Sequence, residues 1–379
     1  MYSVFDYCTM VARDEVRKES YLRALRNVVT GDSVVVDLGA GIGLFSIAAA
    51  MMGARRVFAV EENHNLELGR EIAKAAGVAD RVTFLRASGW DVTLPERASV
   101  LFYDLRGTLP LYMDNFRMVA HAKEHWLLPG AVHFPTRDVL HAAVVAAPGC
   151  YAKLEAASKA VRDLGLPDAA VNRCIKNART NDRETPIRRE DVLTGSMAWA
   201  TLEYGAAPPP TVSGKAVLPV VKGGAAHGVA VWFQTELGPG IGYDTAPGRE
   251  PTYSRAFLPF TEALPLSVGD QVTLEVRALV DGTEWGWSVA VTRADGTIVS
   301  RPKQSTMLAE LRPLDAIMRE TKAATPLLNE AGERALRALS AMDGKTSVDG
   351  LAHAFSGSAD VDAGRALAEV TALVRRYGR

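Results

Sequence analysis

Along the first 140 residues, short and mostly apolar runs alternate with longer amphipathic stretches. The runs are Val34-Val35-Val36, Val57 to Val60, Val82 to Leu85, Val100 to Tyr103 and Ala131 to Phe134. Their length and composition predict strands buried on both faces. Leu44 to Met52 and Leu66 to Ala76 lie between them with helical periodicity. Strand and helix in alternation predict βαβ units around a parallel sheet. From about residue 195 to 300 the period falls to two. Val272, Leu274, Val276, Ala278 and Val280 alternate with polar neighbours, Asp281-Gly282 offers a hairpin turn, and Trp285, Trp287, Val289 and Val291 continue on the return. Met197 to Leu202 and Ala230 to Phe233 read as further strands of an antiparallel sheet or barrel, with both tryptophans in its core. Between the two zones lie charged, mixed residues with one helix around Lys153 to Leu164. Beyond about 313 the period is helical again: Val348, Leu351, Ala352 and Phe355, then Leu367, Val370, Leu373, Val374 and Tyr377. The expected organisation is a Rossmann-like α/β domain over 1–140, an antiparallel β-barrel domain over 141–312, and a small helical module over 313–379.

Composition narrows the function classes. Of 379 residues, 48% are apolar and 23% charged, enough for real cores, and the formal net charge of −1 gives no global field for nucleic acid or anionic membrane. Three scattered cysteines (Cys8, Cys150, Cys174) argue against a disulfide framework. No basic-then-apolar leader opens the sequence, and the longest uncharged apolar run, Leu44 to Ala54, falls short of the ~20 residues a membrane span needs. These features predict a soluble, cytoplasmic protein with no nucleic-acid or membrane partner.

The sharpest local signal is Asp37-Leu-Gly39-Ala-Gly41-Ile-Gly43, a glycine-rich turn between an apolar strand and a helix. Glycine lets the backbone approach a ligand closely, and the helix start offers free N–H groups. Glu61 ends the next strand, where an acid suits the two hydroxyls of a ribose. A turn without ligand leaves this coincidence unexplained. A nicotinamide site follows G-x-G-x-x-G and has no use for an acid before the first glycine, since Asp37 would repel a pyrophosphate. That acid instead suits the cationic amino-acid end of S-adenosylmethionine.

The ordered set Asp14-Glu-Val-Arg17, Tyr21, Asp37 to Gly41, Gly53-Ala54, Val60-Glu61, Leu94-Pro95 and Trp126-Leu-Leu-Pro-Gly130 resembles the core of the protein arginine methyltransferases, class I S-adenosylmethionine-dependent enzymes. The resemblance covers residues 9 to 140 well and the barrel, to about 300, more weakly. It implies that Arg17 grips the cofactor carboxylate, that Asp37, Gly39 and Gly41 hold the amino-acid part, and that Glu61 takes the ribose. Trp90 and Asp91 stand where the family meets the adenine, Asp91 as acceptor and Trp90 packing beside it or serving structure alone. The family also implies a homodimer, with the charged 165–193 stretch as its docking arm.

The substrate clamp departs from that family. Its two glutamates correspond to Asp104, one methylene shorter, and to Met113, with Asp114 one residue later. Arg106 lies between them, a poor neighbour for a guanidinium. The family's Thr-His-Trp appears as Thr252-Tyr253-Ser254, and only Tyr2, Phe5 and Tyr7 stand for an aromatic lid. Arg106 either pairs with Asp104 or binds a substrate carboxylate, with Asp104 or Tyr253 positioning the nucleophile. The expected acceptor is a peptide or amino-acid-derived molecule, methylated on N or O, as in peptide or natural-product modification. The alternatives are an arginine N-methyltransferase with an aspartate clamp and a silent, cofactor-binding regulatory subunit.

Two further features need weighing. His121-Ala-Lys-Glu124-His125 matches a zinc-helix spacing without a third ligand in the sequence, so a plain helix face is expected and no metal. Residues 326 to 379 resemble a small winged-helix or peptide-recognition module, or else form a packing appendage.

Overall fold

The computed structural model describes residues 5, 8, 14–204, 207–249, 253–319, 323–359 and 362–378. Tyr2, Tyr7 and Thr252 lie outside the described residues. The chain forms two compact units, 1–311 and 312–379.

In the first unit, β1 (Val34–Leu38), β2 (Arg56–Glu61), β3 (Val82–Arg86), β4 (Ala98–Tyr103) and β5 (Leu127–Phe134) form one parallel sheet in the order β3-β2-β1-β4-β5. Every residue of β1 is buried, as its unbroken apolar run requires. The chain leaves β1 for β2 and β3 on one side, then returns to place β4 on the other. A crevice therefore opens at the carboxyl ends of β1 and β4, where open α/β sheets bind ligands. Glu61 ends β2, Asp37 and Gly39 lie at the end of β1, and Asp104 follows β4. The three acids that the sequence singled out thus stand on adjacent strand ends.

The period-two zone forms two antiparallel sheets. One runs β7-β12-β10-β6-β8, with β6 Arg137–Val145, β7 Thr180–Asn181, β8 Met197–Glu203, β10 Gly224–Gly238 and β12 Ala256–Leu266; β11 (Ile241–Asp244) pairs with β10. The other runs β15-β14-β13-β9, with β9 Thr211–Pro219, β13 Gln271–Leu279, β14 Trp285–Thr292 and β15 Ile298–Ser300; β16 (Gln304–Ser305) pairs with β14. The expected hairpin is in register, with Val276 opposite Trp287 and Ala278 opposite Trp285. Both tryptophans are buried, their indole N–H groups donating to the Pro259 and Gly282 carbonyls. Buried side chains of both antiparallel sheets and of the parallel sheet belong to one apolar cluster, giving a barrel-like domain continuous with the Rossmann-like core. Between β6 and β7 a helical hairpin, Pro148–Asp163 and Ala169–Lys176, carries the charged stretch.

The second unit holds helices Leu314–Arg319, Glu330–Ser340, Val348–Ala359 and Ala363–Tyr377. The last three close on their own small core of Ala338, Leu351, Ala352, Phe355, Ala366 and Val370. All regular elements among its described residues are helical. No helix among the described residues is long and apolar enough to cross a membrane.

Candidate active site

The crevice is a cavity of about 220 Å³ lined by Arg17, Asp37, Gly39, Gly41, Glu61, Asp104, Arg106 and Tyr253, together with Tyr21, Ala40, Phe45, Asn63, Asn65 and Phe102. Its floor follows from the glycine turn. Gly39, Gly41 and Gly43 all have positive φ, and a Cβ on Gly39 would meet the Leu105 side chain at 2.5 Å. Glu61 is fixed by backbone donors, with Gly41 N–H at 2.8 Å on Oε2 and Asn63 N–H at 2.9 Å on Oε1. Each carboxylate oxygen keeps a lone pair for a further donor. Asp37 is buried and accepts from the Ser46 hydroxyl at 2.6 Å. Burial pushes its carboxyl up to about 7, against the Ser46 hydrogen bond and with help from the Glu61 charge.

The opposite wall comes from helix Glu15–Val28. Asp14 caps it by accepting from Arg17 N–H at 3.0 Å, and Arg17 and Tyr21 fall one turn apart on its buried face. Tyr21 donates to the Tyr103 carbonyl at the end of β4, which sets Arg17 beside Asp104, Nη1 to Oδ2 at 2.6 Å. Arg17 is buried rather than solvated. Its Nε, 3.4 Å from Asp14 Oδ2, is inaccessible and makes no hydrogen bond. Tyr253 lies against the Arg17 guanidinium, 5.4 Å from ring centroid to Cζ, and hydrogen-bonds Asp104. Burial alone would raise the Asp104 carboxyl, but Arg17 and Arg106 overcome it and hold the group below the ordinary carboxylate range.

Arg106 requires a correction. Its side chain is 1% exposed and its five N–H donors are all used. Nε and Nη2 grip Asp138 at 3.1 and 3.0 Å, Nη2 also reaches Thr235 Oγ1 at 2.7 Å, and Nη1 reaches Tyr21 Oη at 3.0 Å and Asp104 Oδ1 at 2.9 Å. No donor is left for a substrate carboxylate, so the role of carboxylate anchor is withdrawn. The pairing with Asp104 is the one observed.

Four residues that the sequence singled out stand apart from the cavity. Asp114 has a 64% exposed side chain, pairs with Arg117 at 3.6 Å, and begins helix Asn115–Trp126. Met113, at the second clamp position, has φ 47° and points to solvent. Trp90 is 45% exposed beside His121, and Asp91 is exposed in a turn closed by its N–H on the Ser88 carbonyl. The preceding Gly89 is closely packed, since a Cβ there would lie 2.6 Å from Met118 Sδ, and the two residues after it are on the surface. His121 and His125 stack at 4.2 Å, His125 bonding the His121 carbonyl, and no group of three potential metal ligands occurs among the described residues. The residues missed from the sequence are Asp138, Thr235 and, beside Tyr21 of the motif set, the cavity-lining Phe45 and Phe102. Asp138 left one signal, an acid in step with the apolar inward positions Leu140, Ala142 and Val144 of β6.

Comparison with known proteins accords with this geometry. The family model for ribosomal protein L11 methyltransferase (PrmA) matches residues 19–93. A probable protein arginine N-methyltransferase 6 of Arabidopsis thaliana is 33% identical over 142 residues, 37% of this chain and 32% of that protein. Protein arginine N-methyltransferase PRMT10 of Oryza sativa subsp. japonica is 35% identical over 155 residues, 40% of this chain and 41% of that protein. The chain thus spans about a third to two fifths of the length of these curated relatives. Among solved structures, Arabidopsis thaliana protein arginine methyltransferase 10 aligns with a TM-score of 0.65 at 19% identity, over 80% of this chain and 97% of that one. The Trypanosoma brucei PRMT1 enzyme–prozyme heterotetrameric complex with AdoHcy aligns with a TM-score of 0.66 at 19% identity, over 79% and 97%. By fold over about four fifths of its length, and by sequence over about two fifths, the chain is protein arginine methyltransferase-like.

Proposed function

We propose that this protein is an S-adenosylmethionine-dependent methyltransferase that methylates a cationic nitrogen of a peptide or amino-acid-derived acceptor. The observation that carries the reading is one cavity bearing both halves of the chemistry. Asp37, Gly39, Gly41 and Glu61 lie on one side, and Arg17, Asp104 and Tyr253 on the other. The residues fit the cofactor on their own terms. Arg17 is a cation on the cavity wall, suited to a carboxylate; Asp37 suits an ammonium; Glu61 retains lone pairs for two ribose hydroxyls. When bound, S-adenosylmethionine supplies an electrophilic methyl on a sulfonium.

The chain's own contribution is placement and charge. Asp104, 17% exposed at the cavity wall, holds the acceptor nitrogen by hydrogen bond and ion pair. Low in pKa, it stays ionised and orients the acceptor nitrogen, which releases one proton to solvent as it takes the methyl. Tyr253 fixes Asp104 from the barrel side, and Tyr21, Phe45 and Phe102 exclude water from the reacting groups. Because Arg106 is fully engaged with Asp138, it does not repel a cationic acceptor as its position in the sequence had suggested. An arginine side chain held by a single aspartate is therefore compatible with the site. Incubation with methyl-labelled cofactor and arginine- and lysine-containing peptides, followed by mass mapping, tests the proposal. Label on a side-chain nitrogen supports it; label on a carboxylate or hydroxyl oxygen overturns the nitrogen assignment.

A second reading rests on Met113. Its exposure leaves the clamp with one carboxylate, which favours a cofactor-binding subunit that serves a catalytic partner. Tight cofactor binding without turnover on any peptide would select it. We further propose a cytosolic homodimer. Three free cysteines suit a reducing compartment, and the hairpin Pro148–Lys176 presents Leu164, 75% exposed, and Leu166 at its tip, apolar surface that a partner subunit would cover.

A further inference from the structure

We infer that Asp138 sets the charge of the acceptor pocket, acting through Arg106, and so selects a cationic acceptor. The inference rests on the methyltransferase reading and centres on Asp138, which does not itself line the cavity.

Asp138 lies on β6, directly opposite Thr235 of β10, and its side chain is 0% exposed. Both oxygens are committed: Oδ1 accepts from Arg106 Nη2 at 3.0 Å, and Oδ2 from Arg106 Nε at 3.1 Å and the Tyr204 hydroxyl at 2.6 Å. This is a bidentate fork, the strongest form of the pair. Asp14, Arg17, Asp104, Arg106 and Asp138 form one chain of ion pairs, three carboxylates to two guanidiniums, with one net negative charge. Only Asp104 among them shows appreciable surface, so the charge is presented to the cavity. Without Asp138 the cluster would be neutral, and Arg106 would have to share the single Asp104 carboxylate with Arg17 in front of any cationic guest. Arg106 also bridges the strand-end loop to the barrel through Thr235, so the same fork holds Asp104 in place. A purely structural role predicts disorder on mutation. A charge-setting role predicts a change of electrostatic preference in a protein that remains folded.

Cofactor and product supply the probe, because S-adenosylmethionine carries a sulfonium and S-adenosylhomocysteine an uncharged sulfur on otherwise alike molecules. The ratio of their dissociation constants, measured by calorimetry, reports the potential near the reacting methyl. Asp138→Asn should weaken S-adenosylmethionine relative to S-adenosylhomocysteine by about fivefold, the scale of one charge at short range in a partly screened site. Arg106→Gln should shift the ratio the other way, so either single variant carries the test if the other does not fold. The double variant should return towards the wild-type ratio. Tyr204→Phe, which removes a hydrogen bond from Asp138 but no charge, should leave it unchanged. Wild-type protein that binds neither molecule defeats the methyltransferase reading itself. Wild-type binding with the same ratio in folded Asp138→Asn or Arg106→Gln overturns the charge-setting role alone.

Discussion

Asp37 is the side chain through which the cavity should respond to pH. Its carboxyl, raised by burial to about 7 from 3.8, holds a proton in the folded state that the unfolded chain has released. That proton favours the folded state, a contribution fully present below about pH 4 and lost as the pH rises through about 7. Cofactor binding should follow the opposite course, because only the ionised form pairs with an ammonium. Affinity for S-adenosylmethionine should therefore rise between pH 6 and 7.5 in wild type and stay flat in Asp37→Asn; parallel slopes in a calorimetric pH series would remove Asp37 from the site. Asp104 belongs to the acceptor instead. Asp104→Asn should lower kcat/KM about a hundredfold, as loss of one charged orienting group does, while the folded protein still binds cofactor; unchanged turnover would discard the clamp. The legibility of these residues in the sequence follows chain distance. Asp37, Gly39 and Glu61 were readable because a strand end, a turn and the next strand end form one local unit. The neighbours of Arg106 were not, since Asp138 and Thr235 come from 32 and 129 residues further along.

At the scale of elements, the hairpin between β13 and β14 supports the clamp loop. Gly282 has φ 74°, and a Cβ there would lie 2.2 Å from the Leu111 carbonyl oxygen. The Asp281 carbonyl accepts from Met113 N–H at 3.0 Å. The Asp281-Gly282 turn was legible as a hairpin signal, but its second task, docking against residues 111–113, was not. Gly282→Ala should cost about 2 kcal/mol or more, because the clash is with backbone and the φ is unfavourable for alanine. Thermal unfolding checks this, and a melting temperature within a degree of wild type would show that the loop yields freely. The strands of the parallel sheet were easier to read than β9, which alternates partly buried with exposed positions, and β12, which is buried on both faces over Ala256–Phe260 and only then alternates. The exposure of Trp90 and Asp91 was hidden because it is a property of tertiary packing, which no local pattern encodes.

The whole molecule joins a ligand-binding sheet to a barrel-like sheet through shared core, with the helical hairpin Pro148–Lys176 extending from β6. If that hairpin docks on a second copy, scattering at micromolar concentration should give twice the 40.7 kDa of the chain. Leu164→Asp with Leu166→Asp should return the single-chain mass. A wild-type mass of one chain would end the homodimer proposal. The central claim is that the strand-end cavity holds S-adenosylmethionine, and calorimetric titration of that molecule into wild type, Arg17→Ala and Glu61→Ala tests it most directly. The account predicts saturable one-site binding by wild type and affinity lower by tenfold or more in each variant, roughly the 1.4 kcal/mol or more expected for a lost charge-assisted contact. No binding to wild type, or equal affinity in all three folded proteins, would contradict it.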